Sequence, residues 1–218
     1  MSFESTTLPH WVQAFAVLRD RTVLRDEDGQ LHSVSEDGSD YEITSRWPAA
    51  SDLNGLLEET TADSPDSQTR LTFLGTPDAE VGRDLATRGW TLTDRRVLLA
   101  ALSSDVEQVA QLPETATLFE APMNDYDVVE IADFDATAGR GRVHFGDGFA
   151  LLADPSITAT ANVEQFRAAI LANLSAAAAG QGLAVLFMVI CADTALGTRE
   201  HRPAGWSNAT QLTTFTRS

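Results

Sequence analysis

Apolar and polar positions recur along this chain at two different periods, and each switch of period marks an element. "HWVQAFAVL" (His10–Leu18) carries Trp11, Phe15 and Leu18 at helical spacing. Three strand-like pieces follow, "RTVLRDED", "QLHSVSED" and "SDYEITSRW", separated by the pairs Asp28-Gly29 and Asp37-Gly38. Asp-Gly between alternating segments is a hairpin signal, because glycine accepts the positive φ of a tight turn. "PAASDLNGLLEET" then reads as a helix opened by Pro48 and capped near Ser51. "TRLTFLG" is an apolar strand, and "TPDAEVGRDLATRG" is a helix with Thr76 as its cap and Gly89 as its stop. "WTLTDRRVLLAAL" closes this stretch as a strand.

A weakly patterned stretch, Ser103–Thr115, reads as a linker, and after it the order recurs. "DYDVVEIADFD" and "GRGRVHFGDG" form a hairpin pattern, and "FALLADPSI" a third strand. "VEQFRAAILANLSAAAAGQG" is amphipathic, with Val163, Phe166, Ile170, Leu174 and Ala177 on one stripe and Gly180 and Gly182 at its end. "LAVLFMVICAD" reads as a buried strand, "TALGTREHRPAG" as a short helix, and "WSNATQLTTFTR" as the last strand. The two halves match in detail at one place: "RLTFLGTPDAEVGRDLATRGW" and "LFMVICADTALGTREHRPAGW" both run strand, turn, helix, Gly-Trp. We read an internal duplication, with residues 1–102 as a reduced first half, 103–115 as the linker and 116–218 as the second half. Trp90 and Trp206 are expected in the core at strand starts.

Composition changes the picture chiefly through charge. The 218 residues carry 32 acids against 15 basic residues, net −17, and every basic residue is arginine. The acidity is spread along the chain, with 18 acids and 9 arginines in residues 1–100 and 14 and 6 in residues 101–218. Such a surface repels nucleic acid and anionic membranes, so neither is expected as a partner. The lone Cys191 excludes an internal disulfide and, inside an apolar run, is expected as an inert core thiol. His10, His32, His144 and His201 are dispersed without metal-ligand spacing, so no metal is expected. With no leader pattern at Met1–His10 and no apolar run long enough to span a bilayer, the chain reads as cytoplasmic. "GRGR" (Gly139–Arg142) is either an anion-binding nest or a hairpin turn, and "DFD" (Asp133–Asp135) a solvated turn.

Three strands, a helix, a buried strand, a helix ending in Gly-aromatic and a final strand resemble the core of the GCN5-related N-acetyltransferases (GNAT). The resemblance is best over Gly141–Arg217 and weaker over Thr69–Leu102. It implies a mixed α/β, or α+β, fold with two GNAT-like halves in tandem. It also implies acetyl-CoA as cofactor, its pyrophosphate held after the strand that ends near Asp154-Pro155 by a loop of pattern R-x-x-G-x-G/A and the following helix. Backbone near Leu152, Ala153 and Asp154 would hydrogen-bond the pantetheine arm, and amides around Ala161, Asn162 and Val163 would take the phosphates.

The junction "DPSITATANVEQF" departs from that pattern. The family's arginine positions fall on Thr158, Ala159 and Thr160, and its glycines on Ala161 and Val163. Without arginine no cation forks onto the phosphate oxygens, and without glycine the backbone cannot approach closely. Glu164 puts a negative charge in the first helical turn, and Asn162 with Gln165 reads as a capping box that occupies the helix's own amides. These departures imply weak acetyl-CoA binding or none. The family's two helices between first and second strands have no room here, since only "APMND" separates "ATLF" from "DYDVVEI". Where many members place a tyrosine to protonate the departing thiolate, this chain has His201. It reads as a general acid or as a solvated histidine on a helix turn.

Three functions follow from different classes. The first is an acyl-CoA-dependent N-acyltransferase acting on a small-molecule amine, a cation that the acidic surface would favour. The second is a non-catalytic relative kept for ligand or protein binding, as a homodimer through an exposed sheet edge. The third is an unrelated α+β protein with the same element order.

Overall fold

The computed structural model describes residues 8–27, 29–47, 53–62, 68–75, 78–192 and 203–217. They contain four helices and twelve strands in two compact units. Unit 1 takes in residues up to Val97, Cys191–Asp193 and the chain from Thr210, and unit 2 takes in Leu98–Ile190 and Thr194–Ala209. Two strands run from one unit into the other: β5 (Thr91–Leu102) starts in unit 1 and ends in unit 2, and β12 (Ser207–Arg217) does the reverse.

In unit 1, α1 (Trp11–Leu18) precedes the antiparallel strands β1 (Arg21–Glu27), β2 (Gln30–Ser35) and β3 (Asp40–Arg46). Their connections hold the glycines of the expected Asp-Gly pairs at positive φ, Gly29 at 76° and Gly38 at 73°. Then come α2 (Leu53–Ala62), β4 (Gln68–Leu74) and α3 (Ala79–Thr87). The strand order is β1-β2-β3-β4-β12-β5, with β3 and β4 parallel and in register over all of both strands, and β4 antiparallel to β12. Strand alternation sends Tyr41, Ile43, Leu71, Phe73 and Phe215 to one face, where Leu53, Leu56 and Leu57 of α2 and Val81 and Leu85 of α3 cover them, with Trp90 in the same cluster. The other face is polar. There the wholly buried Glu42 meets Arg19, Arg21 and Thr72, while Asp40 meets Arg21 and Arg70. The N-cap of α3 is Asp78, without a side-chain cap bond, whereas Gly89 at φ 83° stops it as expected. Pro48, Ser51 and Thr76, the expected openers and cap, lie outside the described residues.

Unit 2 continues from the end of β5. Strands β6 (Ala116–Pro122), β7 (Asp127–Asp133), β8 (Ala136–Phe145) and β9 (Phe149–Ala153) are antiparallel neighbours. The short β10 (Ser156–Ile157) pairs back onto β8, α4 (Val163–Gly180) follows, and β11 (Val185–Cys191) lies parallel to β9. Only residues 123–126 join β6 to β7, so no helices intervene there. Phe166, Ile170 and Leu174 of α4 are wholly buried, and Ala178 rather than Ala177 ends the buried stripe. Trp206 is buried, as Trp90 is.

Two expectations are corrected by the structure. "GRGR" is neither nest nor turn: the turn sits at Phe134 and Asp135, at φ 48° and 65°, and Gly139–Arg142 runs inside β8. A Cβ on Gly141 would stand 2.3 Å from Cγ2 of Ile170, and one on Gly139 would stand 3.2 Å from Cδ1 of the same side chain. The glycines therefore face α4 and admit its close approach, and alternation sends the two arginines to the opposite face, where Arg142 lies 4.9 Å from the centre of the Tyr126 ring. Cys191, expected in the core, is exposed, because the strand ends there. No helix among the described residues is long and apolar enough to cross a membrane.

Candidate functional site

The junction between β9 and α4 is built by pairing on one side and by a helix start on the other. Ala153, the last residue of β9, pairs with Val189, and the chain then leaves the sheet at Asp154. It returns to β8 through Ser156 and Ile157, opposite Arg140 and Gly139. The amides of Thr158 and Ala159 both donate to the Ala138 carbonyl, at 2.9 and 3.0 Å, and the Thr158 hydroxyl donates to the Thr137 carbonyl at 2.7 Å. The first half of the loop is thus fixed to the sheet before the helix begins. Asn162 then turns the chain in the left-handed region, at φ 56° and ψ 25°, a conformation its short side chain tolerates.

The expected capping box does not form. Asn162 makes no side-chain cap bond, and the Gln165 side-chain amide donates instead to the Gln111 carbonyl at 3.0 Å, reaching a residue 54 positions away. The first turn of α4 is therefore left without a capping side chain, with its dipole directed at the loop and only the exposed Glu164 opposing an anion there.

The sequence-derived candidates fall in different settings. Leu152 lies inside β9 with Val143 on one side and Met188 on the other, and is buried. Ala153 is half-buried at the end of the pairing. Asp154, just beyond, forms an ion pair with Arg167. Ala161 and Asn162 are exposed, and Val163, half-buried, opens α4. His201 lies outside the described residues.

Arg167 is the residue that sequence reasoning missed. It sits one turn into α4 and lines a cavity of about 250 Å³. Arg167 brings a cation to this cavity and Asp105, Glu107 and Glu164 bring three carboxylates, while Leu171 and Trp206 give it apolar walls. Gly205 has a reason to precede Trp206 here: at φ 85°, a Cβ would meet the Asp105 carbonyl oxygen at 2.2 Å. Only the two-charge pairing of Asp154 with Arg167, thirteen residues apart, could have pointed to this arginine, and no local pattern carries it.

No protein-family model matches the chain, and no curated protein matches it. Solved structures do. A GCN5-related N-acetyltransferase from Kribbella flavida superposes with a TM-score of 0.65 at 12% identity, covering 94% of this chain and 92% of that one. One from Sphaerobacter thermophilus gives 0.62 at 13% identity, covering 94% and 85%. A tandem GNAT protein from the clavulanic acid biosynthesis pathway gives 0.59 at 10% identity, covering 89% and 81%. These likenesses show the fold of the chain to be that of these acetyltransferase structures.

Proposed function

We propose that this chain, whose fold is that of the GCN5-related N-acetyltransferases with two such halves in tandem, is an acyl-CoA-dependent N-acyltransferase with a rebuilt coenzyme site. The observation that carries the reading is the uncapped start of α4 beside a charged, half-apolar cavity lined by Arg167. The loop lacks arginine, yet one helical turn further on stands the Arg167 guanidinium, which would exchange its Asp154 partner for the phosphates it can fork onto. Amides around Ala161, Asn162 and Val163 would take the phosphates at the positive end of the helix, and backbone at Ala153 and Asp154, where pairing ends, would meet the pantetheine arm.

The chemistry follows from the donor. A small neutral amine attacks the thioester carbonyl, the new C–N bond forms, the C–S bond breaks, and the amine's proton is lost as the thiolate gains one. His201 is the residue we assign to protonate the thiolate. The acceptor is a small amine, drawn as a cation by the net −17 chain and deprotonated at the site.

Isothermal titration with acetyl-CoA at low and moderate salt tests the reading. Micromolar binding that Arg167→Ala weakens about tenfold or more supports it, and turnover with an amine panel, lost in His201→Ala, completes it. No heat with the wild-type chain sinks it. Two observations favour a second reading, a non-catalytic binder: β9 and β11 stay paired through Ala153 and Val189, and the phosphate loop has no glycine. Acetyl-CoA binding without turnover of any amine would select it.

A further inference from the structure

The turn between β7 and β8 breaks two local rules at one residue. Two-residue hairpin turns with positive φ at both central positions favour Asn-Gly, Asp-Gly or Gly-Gly. Elsewhere this chain gives its hairpin loops a glycine at positive φ, Gly29 and Gly38, but at the β7–β8 turn it places Phe134 at φ 48° and Asp135 at φ 65°. A bulky aromatic in the left-handed region is strained. Burial does not compensate, since Phe134 is 77% exposed, almost as much as any large apolar side chain described. Neither backbone preference nor packing explains the residue, and such double violations are expected where a side chain serves a ligand.

Its surroundings say which ligand. Beside the turn lies a cleft of about 300 Å³ between the hairpin and the loop before α4. It is lined by the small side chains of Ala136, Ala138, Ala159 and Ala161 together with Thr137, Thr158 and Thr160. This lining is rigid, because the Thr158 and Ala159 amides and the Thr158 hydroxyl are all bonded to β8 carbonyls. Asp133 also lines the cleft, with one carboxylate oxygen accepting from the Thr115 hydroxyl at 2.6 Å. A carboxylate there repels a phosphate but accepts from an exocyclic amine. A lining of small side chains, an exposed ring in the turn that the cleft residues Asp133 and Ala136 flank, and an acceptor for an amino group suit a purine base. The uncapped start of α4, on the far side of Ala161, suits the phosphates attached to it.

We infer that Phe134 is the platform on which the adenine of the acyl carrier's nucleotide tail stacks, an assignment that rests on the acyl-CoA reading above. Asp133 positions the base through its amino group, and the strained turn carries the ring between Asp133 and Ala136, two residues that line the cleft. The adenosine half of the carrier is then bound by the hairpin, separately from the pantetheine half.

Titration calorimetry with acetyl-CoA, S-acetyl-4′-phosphopantetheine and adenosine 3′,5′-bisphosphate tests this on the full chain. Phe134→Gly and Phe134→Asn remove the ring while suiting the positive φ, and Phe134→Trp keeps an aromatic. We expect both ring-less variants to bind acetyl-CoA about tenfold more weakly or worse, and to bind the phosphopantetheine as the wild type does. Phe134→Gly should melt at or above the wild-type temperature, and Phe134→Trp should retain acetyl-CoA affinity. Unchanged acetyl-CoA affinity in the ring-less variants overturns the inference, and so does an equal loss for both acyl carriers. If the wild type binds neither carrier, the acyl-CoA reading fails and the bisphosphate decides alone. Ring-dependent binding of it keeps Phe134 as a nucleotide platform, and no binding removes that role.

Discussion

Glu42 concentrates the electrostatics of unit 1 in one side chain. Burial alone would push its carboxyl up, but the guanidiniums of Arg19 and Arg21 and the Thr72 hydroxyl at 2.5 Å outweigh it and hold the group below its ordinary value. A carboxylate with a lowered folded-state pKa contributes stability that is complete above the unfolded value, about 4.3. That contribution is lost as pH falls through the lower folded value. Glu42→Gln should therefore flatten the acid limb of a stability-against-pH curve, while Glu42→Ala, which leaves two arginines facing a gap, should cost about 3–5 kcal/mol at neutral pH. Chemical denaturation from pH 3 to 8 reads both. A Glu42→Gln curve that falls in acid as steeply as the wild type would refute the assignment. The sequence did not disclose this residue. It shows Glu42 in a strand pattern, but its partners stand on β1, on β4 and at the end of α1, and only the assembled sheet brings them together.

At the scale of elements, the seat of α4 on β8 depends on two missing side chains. Adding a methyl group at Gly141 would bring it to 2.3 Å from Cγ2 of Ile170 and 3.0 Å from Cδ1 of Leu174, both wholly buried. Gly141→Ala should thus lower stability by about 1–3 kcal/mol through overpacking, measurable as a lower urea midpoint, with a smaller effect at Arg142→Ala on the opposite face. An unchanged midpoint would mean that α4 shifts freely, contrary to its packing. Elements whose signals are local were legible: the Asp37-Gly38 turn, where Asp37 accepts from its neighbours Ser35 and Ser39 and is held down to about 2, lies within five residues. The α4 stripe and the glycine stop of α3 were legible for the same reason. The Gly139–Arg142 run was misread because its spacing answers to Ile170 and Leu174, far away in sequence. The capping box failed because Gln165 found a carbonyl 54 residues back. Arg167 hid in the polar face of an amphipathic helix, where an arginine is ordinary.

At the scale of the whole molecule, the order of the elements was readable but the ownership of strands was not. Each half predicts its own closing strand, yet in the sheet β4 has β12 as its neighbour and β11 has β5. Fragments 1–102 and 116–218, each lacking the strand its partner supplies, should fail to fold alone, shown by poorly dispersed amide spectra, and should recover dispersion when mixed. A folded isolated fragment would contradict this division of strands. The same exchange has a consequence during synthesis. Thr72 of β4 bonds Thr214 of β12 across a gap of 142 residues. At ribosomal speeds of roughly 5–20 residues per second, that gap takes about 7–30 s to make. For that interval the nascent β4 has an open edge and half its final neighbours, a state in which apolar strands pair with strangers. Phe73 and Leu71 sit on that strand, so the chain's dependence on a chaperone should be greatest before β12 has emerged.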